Sequence, residues 1–218
     1  MPTFGLIAEG PTDLAVLENI LVGFFNDPDM SEYIRHLQPL RDATDEQYGP
    51  GGWTRVVEYC KSSVFQEAFE QNDYLLIQID TDCLHEKPFE LDVKQAVEPL
   101  VNAVIEKFGA LIKEAFEAEF YDKYAEKMLF AVAVDEIECW LLPLYFSDRN
   151  AAATNNCLHK LNTQLGKNKG KIINPARKEP RHYDTLSRPF IKNKILTASS
   201  SGNPSFHIFL ETLRHSFA

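Results

Sequence analysis

A chain of 218 residues with 44% hydrophobic and 25% charged residues has an ordinary folded-domain composition and the length for one sizeable core. Its net charge of −10 excludes a protein that coats nucleic acid through bulk basicity, although local fields still count. No apolar run approaches the roughly 18–20 residues that cross a bilayer, and MLFAVAV, the longest candidate, is far shorter.

In chain order, TFGLIA reads as a short buried strand. It stops at Glu9, turns through Gly10-Pro11, and passes Asp13 into a helix with Leu14, Leu17, Leu21, Phe24 and Phe25 at helical spacing. Pro11 suits the first helical turn, where its missing N–H costs nothing. YIRHLQPL is the second expected strand and DATDEQYGPGG a loop. From Trp53 to about Glu70 the pattern is helical, with Val56, Val57, Cys60, Val64, Phe65 and Phe69 on one side. DYLLIQIDTD is the strongest strand and ends in acids. A helical region follows from about Leu91 to Tyr124, where Pro99 starts a fresh helix rather than sitting inside one. KMLFAVAVDEIECWLLPLYF gives a fourth strand running into a short apolar helix. Residues 148–204 read as less regular, before a final amphipathic helix from about Ser205 to Phe217 with Phe206, Phe209, Leu210 and Leu213 inward.

Strands alternating with helices predict an α/β fold: a mostly parallel sheet of about four strands flanked by helices. The expected division is a core over residues 1–147 and a basic, partly helical C-terminal extension over 148–218 packed on it. The charge supports that division. Residues 1–159 hold 11 Lys/Arg against 29 Asp/Glu, and residues 160–218 hold 11 against 3. The basic quarter either carries an anionic chain to the acidic body or simply docks on it. The apolar start is broken by Glu9 and Asp13, unlike a signal peptide. The scattered Cys60, Cys83, Cys139 and Cys157 lack close metal-ligand spacing. They read as reduced thiols of a cytoplasmic protein, with Cys60 and Cys139 buried.

The acids fall at strand ends: Glu9 after the first, Asp80 and Asp82 after the third, and Asp135, Glu136 and Glu138 after the fourth. Ligands of open parallel sheets bind beyond the carboxyl ends of the strands. Oxygen ligands delivered there suit Mg²⁺ or Mn²⁺ better than zinc. Each acid also has a plain structural reading. Glu9 and Asp13 match acids favoured near helix N-termini, Asp80 and Asp82 match a strand end and turn, and Asp135 matches a helix cap. Two acids directly after YLLIQI, and one acid ahead of the Gly-Pro turn, tilt the reading toward a metal site.

LIAEGPTD, followed some seventy residues later by LLIQIDTDC, resembles the Toprim domain of topoisomerases, primases and related nucleases. The Glu9-x-x-x-Asp13 spacing is closer to the OLD-type (overcoming lysogenization defect) endonucleases. DEIECWLLPL resembles the Glu-rich stretch before a Trp-Leu-Leu helix in small stand-alone bacterial Toprim-like proteins. The resemblance covers roughly residues 1–145 and implies a Rossmann-like Toprim sheet carrying a metal-dependent phosphodiester hydrolase. Glu9, Asp80 and Asp82 would form its core, Asp13, Glu136 and Glu138 further metal ligands, and phage defence its setting. OLD-type enzymes use a lysine to steady transition-state charge, and Lys192 in RPFIKNKIL is the first choice for it. Lys167, Lys169, Lys171, Arg177, Lys178, Arg181, Lys192 and Lys194 are the expected contacts to nucleic-acid backbone, with DNA the first choice of substrate.

Two other readings stand beside the nuclease. One is a non-catalytic Toprim-like subunit that binds nucleic acid or an ATPase; without a Walker A sequence here, the ATPase would be a separate chain. The other is a HAD-type phosphatase, which IQIDTDC also resembles, although that motif normally lies on an opening strand. His85 reads as a surface-loop residue, and Asn203 and Ser205 as caps of the last helix.

Overall fold

The computed structural model describes residues 1–40 and 48–218. Residues 42–47 of the expected loop DATDEQYGPGG lie outside them. Four strands, β1 (Phe4–Ile7), β2 (Ile34–Gln38), β3 (Tyr74–Asp80) and β4 (Met128–Ala133), form an all-parallel sheet in the order β2-β1-β3-β4. Parallel strands need crossover helices that cover both faces, which is why β1, β3 and β4 are nearly continuous apolar runs.

Alternate strand residues feed two hydrophobic layers. Phe4, Leu6, Ala8, Leu76, Leu129 and Ala131 face α1 (Pro11–Phe25), α6 (Glu138–Leu141), α7 (Cys157–Lys167), α8 (Pro180–Ser187), α9 (Asn193–Ser200) and α10 (Pro204–Ser216). Ile7, Leu75, Ile77, Ile79, Phe130 and Val132 face α2 (Trp53–Cys60), α3 (Ser63–Gln71), α4 (Val97–Ala115) and α5 (Ala118–Tyr124). The connection leaving β1 thus covers one face and the connection leaving β3 the other. The crevice between the carboxyl ends of β1 and β3 is therefore the topological switch point, where ligands of such sheets bind.

The chain departs from expectation in four places. The helix expected from Trp53 to Glu70 is two, because Ser62 is extended (φ −94°, ψ 158°) and restarts the phase; Val64 consequently points outward, 51% exposed. Residues 91–96 are not helical, and α4 begins at Val97 with Pro99 in its first turn. The stretch 148–204 holds three helices, and the C-terminal segment contributes α7–α10 to a hydrophobic cluster of the sheet itself. Finally, Cys139 and Cys157 are joined by a disulfide rather than reduced, tying α6 to α7; Cys60 is a buried thiol and Cys83 a half-buried one. The pair stands 18 residues apart in sequence, so spacing gave no hint of it.

The last helix shows how polar groups fix this layer. Asn203 caps α10 by accepting from Phe206 N–H, while its amide donates to the carbonyls of Cys139 and Ala153. Ser205 lies inside the helix and does not cap it; its hydroxyl accepts from Val134 N–H and from the indole N–H of buried Trp140. No helix among the described residues is long and apolar enough to cross a membrane.

Candidate metal centre

Backbone geometry at the switch point ties the two acidic strand ends together. Glu9 Oε1 accepts from the N–H of Asp80 at 2.7 Å. Gln78, fully buried in β3, accepts from Glu9 N–H at 3.1 Å and donates to Asp80 Oδ1 at 2.8 Å. A glycine-rich turn closes over Glu9: Gly52 N–H donates to Glu9 O at 2.7 Å, and a Cβ on Gly51 would come within 2.2 Å of that oxygen. Asp13 sits buried in the first turn of α1.

The β4 end is pinned to β3 in turn. Asp135 adopts φ 73°, a left-handed conformation that aspartate tolerates better than most residues. Its carbonyl accepts from Thr81 and Asp82 N–H, and its own N–H donates to Thr81 Oγ1 at 2.9 Å. Burial and the charge of Asp82 raise the Asp135 carboxyl, opposed by the backbone at the start of α7, Asn156 and Cys157, and by Lys160. Glu136 accepts from Leu158 N–H at 2.7 Å. Asp82 is exposed at the mouth of the crevice.

Electrostatics identify these acids as one group. Burial pushes Glu9 up to about 8, reinforced by Asp13 and Asp82 and opposed by its bond to Asp80 N–H and by Lys178. Burial and Glu138 push Asp13 up to about 7. Burial, then Asp13, Glu9 and Glu138, hold Asp80 well above the usual carboxylate range. Glu136 rises to about 7 through burial and the charge of Glu138.

Among the described residues, Lys178 is the cation paired with these acids. Lys178 Nζ lies 2.7 Å from Glu138 Oε1 and 3.7 Å from Glu136 Oε2. Burial alone would lower its pKa, but Glu138, Glu136 and Asp80 raise it. Glu138 is fully buried; its Oε1 also accepts from the hydroxyl of buried Tyr183, whereas its Oε2 is buried with no hydrogen-bond partner. An orphaned carboxylate oxygen inside an acidic, oxygen-only cluster fits a hard divalent ion. Among the described residues, however, no three of these acids bring ligand oxygens within 4.8 Å of one another; the set that close is Asp135, Cys139 and Cys157, whose sulfurs are already bonded to each other. Side-chain rotation would have to close the acids on an ion.

The structure thus gathers Glu9, Asp13, Asp80, Asp82, Glu136, Glu138 and Lys178 at one sheet edge. It does not gather Lys192. That lysine is exposed and follows the turn Arg188–Ile191, which lies so close to Gly23 that a Cβ there would come within 1.8 Å of Phe190 O. Gly23 is ten residues beyond Asp13, about 15 Å along the helix. Lys194 lies near Pro143 and Leu144. Lys167, Lys169, Lys171 and Arg177 are exposed on the stretch leading to Lys178, where Lys171 pairs with Glu179 at 2.6 Å. Exposed Arg181 follows on α8 and lines a groove of about 720 Å³ with Ala15, Asn19 and Tyr48. His85 is exposed in the loop after Asp82.

Sequence reasoning missed Gln78 and Tyr183. Gln78 left a trace, as the lone polar side chain in YLLIQI; Tyr183 left none. Compared with models of known protein families, with curated proteins and with solved structures, the chain has no match.

Proposed function

We propose that this protein is a divalent-metal-dependent phosphodiester hydrolase acting on nucleic acid, with DNA as first choice, as the Toprim and OLD-type resemblance implies. The observation that carries the reading is the buried, partnerless Glu138 Oε2 among the raised-pKa carboxylates of Glu9, Asp13 and Asp80 at the switch point. Asp80 and Asp82 would hold one Mg²⁺ or Mn²⁺, and Glu9 with Asp13 or Glu138 would complete a second position. When bound, such ions lower the pKa of a water and neutralise charge on the phosphate.

The chain's own residues supply the rest. Gln78 and the Asp80 N–H hold the two carboxylates that face the crevice. Lys178, 2.7 Å from Glu138 Oε1, would offer a positive charge to a developing oxyanion. Lys167, Lys169 and Arg177 offer contacts to flanking phosphates without reading bases. Such a function would belong in the cytoplasm, and the Cys139–Cys157 disulfide is the observation that speaks against that compartment.

The test is melting of wild type and Asp80→Asn with and without Mn²⁺, together with cleavage of plasmid and single-stranded DNA. Mn²⁺ should raise the melting temperature of wild type only, and the variant should lose cleavage by about 10²-fold or more, the scale of a lost electrostatic stabiliser. A variant that cuts as well as wild type ends the nuclease reading. One observation favours a non-catalytic binding subunit instead: Lys178 already neutralises Glu138 without any ion. On that reading wild type would neither bind Mn²⁺ nor cut, alone or with an added ATPase.

A further inference from the structure

We infer that Tyr183 is a positioning residue of the carboxylate centre, which with Lys178 holds Glu138 by Oε1 and thereby presents Oε2 to a divalent ion. The inference rests on the metal-dependent reading above. Both donors approach Glu138 from the same side of the chain, the stretch entering α8, and both spend themselves on one oxygen: the Tyr183 hydroxyl donates to Oε1, and Lys178 Nζ stands 2.7 Å from it. A carboxylate has two oxygens and about four acceptor positions. Leaving Oε2 buried and unbonded costs more than leaving it in water, so a polar partner is missing there.

Tyr183 is built to keep this geometry. Its backbone carbonyl accepts from Ser187 Oγ at 2.8 Å, and Ser187 Oγ in turn accepts from Asn19 Nδ2 on α1 at 2.8 Å. Asn19 also donates to the Asp184 carbonyl, so the turn of α8 bearing Tyr183 is locked onto the helix bearing Asp13. A tyrosine that merely filled the core would be replaceable by phenylalanine without consequence for the ion.

Tyr183→Phe removes only the hydroxyl. Mn²⁺ binding to the metal-free full-length chain, followed by calorimetry, should weaken about tenfold or more, as when an outer-shell partner of a metal ligand is removed. The melting temperature without metal should stay near wild type. In a Glu138→Gln background the same change should cost no further affinity, since the oxygen it positions is no longer a charged ligand. Wild-type affinity in Tyr183→Phe, with Asp80→Asn and Glu138→Gln both impaired, overturns this inference and leaves the metal reading standing. Failure of the wild type to bind Mn²⁺ overturns both. A Tyr183→Phe chain that does not fold shows the hydroxyl to be structural and also overturns the inference.

Discussion

Glu9 carries the clearest consequence of packing acids without an ion. Its carboxyl is pushed from the ordinary range to about 8, chiefly by burial, so the folded state binds a proton that the unfolded state has released. The stabilising contribution is therefore complete below about pH 4.5 and is lost as pH rises through about 8. Asp13 and Glu136, both raised to about 7, act in the same direction. The metal-free protein should lose several kcal/mol of stability between pH 5 and 9, at about 1.4 kcal/mol per unit of raised pKa. Glu9→Gln keeps the acceptor for Asp80 N–H and removes the ionisation, so its melting temperature should fall less steeply over that range. Mn²⁺ should flatten the wild-type curve. A wild-type profile that rises with pH would mean that the acids are hydrated, not buried together. At this scale the sequence was informative: each of these acids follows a recognisable apolar strand. Tyr183 was not legible, because nothing local distinguishes a tyrosine that meets a carboxylate from one that fills a core.

Among the elements, α10 and α6 show where stability concentrates. Asn203 is fully buried and satisfies four groups at once: Phe206 N–H, Ser205 Oγ–H, and the carbonyls of Cys139 and Ala153. A simple N-cap replaced by alanine costs about 1 kcal/mol. Asn203→Ala also strips two interior carbonyls of their donor, so the expected loss is about 2–4 kcal/mol. Urea unfolding measures it as a lower midpoint at unchanged slope. A loss below about 1 kcal/mol would show that water replaces the amide. The cap itself was legible in SGNPSF. Its reach to Cys139 and Ala153 was not, because those carbonyls are 64 and 50 residues away. Element breaks were legible where proline or glycine marks them, as at Pro11. Between α2 and α3 the extended Ser62 breaks a pattern with neither residue, and the inward expectation for Val64 failed with it.

The whole molecule joins an acidic body to a basic stretch, and the join is at the candidate centre. Lys167, Lys169 and Lys171 are exposed on the segment that ends at Lys178. If that segment carries phosphates, reversing these three charges should weaken DNA binding and flatten its salt dependence by about 0.9 per lost phosphate contact on a log–log plot. Lys171 is already engaged by Glu179, so it should contribute least of the three. An unchanged slope in filter binding or fluorescence anisotropy would assign the basic stretch to docking on the acidic body. Two lysines of opposite fate make the same point: Lys178 reaches the carboxylates, whereas Lys192 lies toward the far end of α1.

By itself the sequence determined the α/β alternation, the parallel sheet and the acids at the ends of β1, β3 and β4, because apolar runs, turn residues and crossover lengths are local properties. Only the tertiary structure decided which cation meets those acids, which oxygen of Glu138 is left without a partner, and that Cys139 bonds Cys157. Those pairings join residues 18 to 45 positions apart, through helices with no period in common. Packing of α7 and α8 against α1 and α6 selects them, and no local pattern encodes which side chains such packing brings face to face.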